Sequence, residues 1–154
     1  MKPILSLHIA AGLVGLVSGY IALFSGKGAA VHKKAGLVFV GAMLVMTAAG
    51  LYETVSRSVA VSTNSSASLI SAYLVITSLA TVRPATAASR ALLVGGAAVA
   101  LGIVVVNARF FMMALDGRAP DNMPFFPFLL FGTAAFLGLA GDLRVIVTGP
   151  LRGA

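Results

Sequence analysis

The stretch from Ile4 to Phe24, ILSLHIAAGLVGLVSGYIALF, decides the fold class of this chain. It carries no charged residue, and at 1.5 Å per residue it reaches about 30 Å, the thickness of a bilayer's hydrocarbon core. Lys2 ahead of it raises the competing expectation of a cleaved secretory signal. The apolar region of a signal, however, spans only about 7–15 residues, and here Lys27, Lys33 and Lys34 follow. The stretch therefore predicts a membrane-spanning helix.

The remainder of the chain is built the same way. Of its 154 residues, 59% are hydrophobic and 10% charged, with a mean hydropathy of +1.03. A soluble domain is about a quarter charged; four acidic and eleven basic side chains are too few to cover a water-facing surface of this size. The absence of cysteine excludes disulfides and thiolate metal sites. A formal charge of +7 raises the question of nucleic acid, but the basic residues stand singly or in pairs between apolar runs and form no basic face, so no nucleic-acid partner is expected.

Five runs predict an all-α, polytopic transmembrane bundle with short loops. The expected helices cover roughly 4–24, 35–55, 66–82, 90–113 and 126–146, within one domain, 1–154. Ser25 to Lys34, with two glycines, three lysines and His32, reads as a polar turn. Ser56 to Ser68, rich in Ser, Thr and Asn, reads as a loop. Arg83-Pro84 and Asp116-Gly117 break the later runs. Pro120, Pro124 and Pro127 punctuate a loop whose Phe125, Phe126 and Phe128 suit the membrane interface.

Lysine and arginine set the orientation. Lys27, Lys33, Lys34, Arg83, Arg90, Arg144 and Arg152 share one side, against Lys2, Arg57, Arg109 and Arg118 on the other, which puts the N-terminus outside. Small residues mark where helices approach closely: Gly12, Gly15 and Gly19 in the first run, Ala42, Ala49 and Gly50 in the second, Ala98 and Gly102 in the fourth, and Ala134, Gly138 and Gly141 in the fifth.

Few residues are equipped for chemistry. His8, on the glycine stripe of the first run, is an ionisable group whose burial needs a partner. Under the expected topology Tyr52, Glu53, Asn107 and Arg109 lie at a similar outer depth, so that with His8 they make a candidate outer polar pocket for a proton or a small ligand. The alternative is a set of hydrogen-bonded helix ends. His32, beside Lys33 and Lys34, belongs to the inner side, where a basic cluster attracts anionic lipid. One crossing, about 24–36 Å, separates the two histidines, so they do not share one haem iron. No metal cluster is legible. Gly26-Lys27-Gly28 lacks the flanking residues of a phosphate loop, and no serine, histidine and carboxylate constellation is present, which leans away from an enzyme.

One resemblance runs over nearly the whole chain. Leu7-His8 followed by Ala11-Gly12, Gly19, Ala22-Leu23, Lys27-Gly28, His32, Gly36, Ala42-Met43-Leu44, Tyr73-Leu74-Val75, Thr81-Val82-Arg83, Phe131-Gly132 and Gly141-Asp142-Leu143-Arg144 is similar to the bacterial predicted membrane proteins catalogued as domain of unknown function twenty-three-oh-six. The resemblance implies a multi-pass protein of the bacterial inner (plasma) membrane and carries no established activity. It also implies further helix after Arg152-Gly153-Ala154, with a histidine entering from the side of His32. These 154 residues do not complete that inner histidine pair for haem, metal or proton relay.

Two classes of function follow as expectations. One is a non-catalytic membrane subunit or binding protein, packed against lipids, itself or a larger membrane complex. The other is a small haem-binding, redox or proton-linked membrane protein using His8 or His32. The absence of charge at mid-depth weighs against solute transport and leaves room for a quinone or lipid in an apolar cleft.

Overall fold

A computed structural model describes residues 3–82 and 86–149. Lys2, Arg83, Pro84, Arg152 and the tail beyond Gly149, all used in the sequence reading, lie outside the described residues. Among the described residues the secondary structure is entirely helical: α1 (Pro3–Phe24), α2 (Ala30–Arg57), α3 (Val61–Thr81), α4 (Ala87–Leu115) and α5 (Phe125–Thr148), with a single 3-10 turn at Pro120–Asn122. This agrees with the expected helical bundle.

Four helices, α1, α2, α4 and α5, are long and apolar enough to cross a membrane. The expected fifth span, α3, has the length but is not apolar enough, because its first turns read Ser62, Thr63, Asn64, Ser65 and Ser66. Those residues were expected in a loop running to Ser68; the linker is instead Ser58 to Ala60, and the helix begins at Val61. Serine, threonine and asparagine are mediocre helix formers because they compete for backbone bonds. Here Asp121, outside the helix, accepts from both the backbone N–H and the hydroxyl of Ser62, each at 2.7 Å. That contact satisfies a first-turn donor which Ala60, in a left-handed conformation with φ 42°, does not cap.

The second helix also starts earlier than expected, at Ala30 rather than Ala35, so His32, Lys33 and Lys34 are helical. Lysine is a good helix former. His32 anchors this turn, its Nδ1 donating to the Ala22 carbonyl at 2.9 Å. Ala22 lies in the last turn of α1, where carbonyls lack helical partners.

The contacts divide the chain into two compact units, Met1–Val59 and Ala60–Ala154. In the first, α1 packs on α2. A Cβ on Gly12 would meet Met46 Sδ at 3.2 Å, one on Gly15 would meet Met43 Sδ at 3.3 Å, and one on Gly19 would meet the Phe39 ring at 3.0 Å. Residue numbers rise on α1 as they fall on α2, so the pair is antiparallel, with large α2 side chains seated over the glycine stripe. Only Ala11, Gly15 and Ser18 of α1 are buried, and Leu13, Leu16 and Val17 point outward. Such an apolar exterior suits lipid.

In the second unit α4 packs against α3 and α5, and α3 also touches α5. Its core joins Ile70 and Tyr73 of α3, Ala100 and Ile103 of α4, and Ala135 of α5. The buried stripe of α4 is Leu93, Ala97, Ala100, Ile103 and Asn107. Gly96, not Gly102, makes the close approach: a Cβ there would sit 2.5 Å from Thr77 Cγ2, whereas one on Gly102 would meet nothing within 4 Å. The expected stripe of Ala98 and Gly102 lies on the exposed face.

Candidate functional site

Polar groups within the helices are satisfied locally where they are small. Ser18 donates to the Val14 carbonyl, Thr47 to Leu44 and Thr77 to Tyr73, the back-bonding of hydroxyls in apolar helices. An aspartate has no donor of its own when ionised and needs one from elsewhere. Asp142, six residues from the end of α5, is 6% exposed and receives the Tyr73 hydroxyl at 2.7 Å.

Tyr73 itself is 4% exposed. Its ring fills a notch made by two glycines. A Cβ on Gly138 would lie 2.7 Å from Tyr73 Cε1 and 2.9 Å from its hydroxyl, and one on Gly96 would lie 3.5 Å from Cε2. The glycines of α4 and α5 thus let a bulky side chain of α3 reach between them and bring its hydroxyl to an acid four residues beyond Gly138. This places a buried acid and phenol, sequestered together, inside the second unit. The sequence reading names neither Tyr73 nor Asp142 as a site residue and does not bring the two together. The available signal was Gly138 followed at helical spacing by Asp142, together with a lone tyrosine inside the run containing Tyr73.

A scan of family models, a search of curated proteins and a search of solved structures find no match to this chain.

The residues expected to form an outer pocket are placed as follows. In the first unit His8, half-buried, donates from Nδ1 to the Met46 carbonyl at 2.8 Å. Glu53 lies seven residues beyond Met46, about 10 Å along the helix, and its carboxylate pairs with Arg57 at 2.5 Å. Tyr52 is exposed. In the second unit Asn107 is buried, its Nδ2 donating to the Ile103 carbonyl at 2.9 Å. Arg109, two residues on, is exposed, because side chains two apart on a helix do not share a face.

Both histidines follow one local logic. A carbonyl only accepts, so Nδ1 carries the proton in each, and Nε2 is left outside that bond. Each thereby ties α1 to α2, His8 at one end of the pair and His32 at the other. They stand fourteen residues of α1 apart, from the level of His8 to Ala22, or about 21 Å. Among the described residues no group of three or more His, Cys, Asp or Glu gathers as a metal site.

Outside the long apolar helices, Asp121 is held below the usual carboxylate range by the Ser62 hydroxyl and then by the Ser62 backbone N–H. A cavity of about 450 Å³ lies where the end of α3, the start of α4 and the end of α5 meet, with Thr81, Thr86, Ser89 and Arg90 in its wall. Thr86 caps α4 there, accepting from the Ser89 backbone at 3.1 Å and donating its own N–H to the Ser89 hydroxyl at 2.8 Å.

Proposed function

We propose that this chain is a non-catalytic protein of the bacterial inner membrane that works by binding, as a subunit packed against itself or a larger membrane assembly. One observation carries the reading: His8, His32, Tyr73 and Asp142 are spent on holding helices together. His8 and His32 each bond a backbone carbonyl of the neighbouring helix, and Tyr73 engages Asp142 across two helices. Groups so committed suit a scaffold. The outward apolar faces of α1 and α2 give lipids or further helices a surface to pack on. Membership of the family named above belongs to this proposal and rests on the quoted residues; the outside N-terminus rests on the lysine and arginine count.

Crosslinking in native membranes, followed by light scattering of the extracted protein, tests the reading. More than one chain per particle, or a stoichiometric second subunit, is the expected result. A lone monomer in both measurements overturns it.

The histidine tautomer favours a second reading. A metal-ligating histidine characteristically donates one ring N–H to a carbonyl or carboxylate and offers the other nitrogen to the metal, as the Nδ1 bonds of His8 and His32 allow. A stoichiometric Soret band in protein purified from its own membrane, lost in His8→Ala and kept in His32→Ala, is the outcome that reading requires for the outer-pocket site.

A further inference from the structure

Between α4 and α5 lies a cavity of about 240 Å³, walled by Phe111, Phe128 and Phe136 and bordered by Asn107, Gly132 and Thr133. Asn107 is 1% exposed. Because its Nδ2 must face the Ile103 carbonyl to donate, the amide orientation is fixed. Oδ1 is left buried without a hydrogen-bond partner. A folded protein rarely leaves a buried amide oxygen unpaired. In hydrocarbon the omission is harder to correct, since water is not at hand. Asn107 lies eight residues before the Leu115 end of α4, about 12 Å from it.

We propose that this cavity binds a lipid-soluble molecule whose ring bears a hydroxyl, of the phenol or quinol class, with the hydroxyl donating to Asn107 Oδ1. The inference rests on the binding-protein reading above and names its ligand class. An amide oxygen only accepts, so the ligand must donate. A quinone carries only acceptors and does not match; its reduced, hydroxyl-bearing form does. Three phenylalanines favour an aromatic body, which packs on them edge-to-face or offset. An apolar cavity of about 150 Å³ holds benzene, so this one accommodates a substituted ring. Leu129 and Phe136 in its wall are 46% and 58% exposed, which gives a route from the bilayer. Oδ1 is itself covered, so side chains around it must move as the ligand enters.

The test uses the full chain in lipid nanodiscs, with empty nanodiscs as reference, under reducing conditions. The probes are a short-tailed benzoquinol and its dimethyl ether, titrated calorimetrically. The quinol is expected to bind saturably and at least about tenfold more tightly than the ether, and Asn107→Leu to erase that preference. Thr133→Phe, placed on the exposed side of the wall, is expected to block binding whether or not Asn107→Leu folds. Equal affinity for the two probes, no binding of the quinol, or undiminished binding by Thr133→Phe overturns the inference. The oligomeric mass measured on the same nanodiscs judges the subunit reading separately.

Discussion

At the residue scale, the Tyr73 and Asp142 pair carries the greatest consequence for stability. Removing one member of a buried hydrogen bond leaves the other desolvated and unpaired, which costs about 1–3 kcal/mol. Tyr73→Phe is therefore expected to lower stability by that order in a thermal unfolding measurement in micelles. Replacing both residues, as Tyr73→Phe with Asp142→Leu, is expected to recover part of the loss; strictly additive effects would show that the two side chains do not act as a pair. Asp121 provides a pH-dependent counterpart at the mouth of α3. Its folded carboxyl titrates below its unfolded value of about 3.9, as the Ser62 hydroxyl and N–H dictate. Its contribution is thus present in full above that unfolded value and disappears as the pH falls through the depressed folded one. Wild type and Asp121→Asn should differ in melting temperature near neutrality and converge in acid, and parallel curves would refute the assignment.

At the element scale, two glycines three residues apart on α5 make a controlled comparison. Gly138 faces Tyr73 and Leu74, where an added Cβ would stand 2.7 Å from one and 3.0 Å from the other. Gly141 has nothing within 4 Å of that position. Gly138→Ala should force α5 from α3 and cost about 1–3 kcal/mol as an overpacked core does. Gly141→Ala should be neutral or gain up to about 1 kcal/mol from helix propensity. Matching losses at both positions would mean that α5 does not pack as described. The existence of α1, α2, α4 and α5 was legible because long apolar runs are unambiguous. The boundaries of α2 and α3 were not. His32 and Asp121 complete those helix ends through contacts ten and fifty-nine residues away in sequence, and local propensity does not encode such partners.

At the scale of the whole molecule, the four long apolar helices make a prediction that the absence of cysteine renders clean to test. The 28 residues of α2 span about 42 Å, so Gly26→Cys and Val59→Cys flank it at opposite ends. A membrane-impermeant thiol reagent applied to intact cells should label Val59→Cys and spare Gly26→Cys until the membrane is opened. Labelling of both from one side would mean that α2 does not cross.

The amino-acid sequence alone determined that this is an all-helical protein with spans of bilayer length, since the cost of placing such runs in water depends on composition and not on their neighbours. It also marked the glycine stripe of Gly12, Gly15 and Gly19 and the isolation of His8 from His32, which follow from helical spacing and length. Which glycines of α4 and α5 admit a partner, and that Tyr73 and Asp142 meet while Asn107 turns from Arg109, was decided only by tertiary structure. Those facts depend on the rotation and register of one helix against another, and many side chains distant in the chain fix them together.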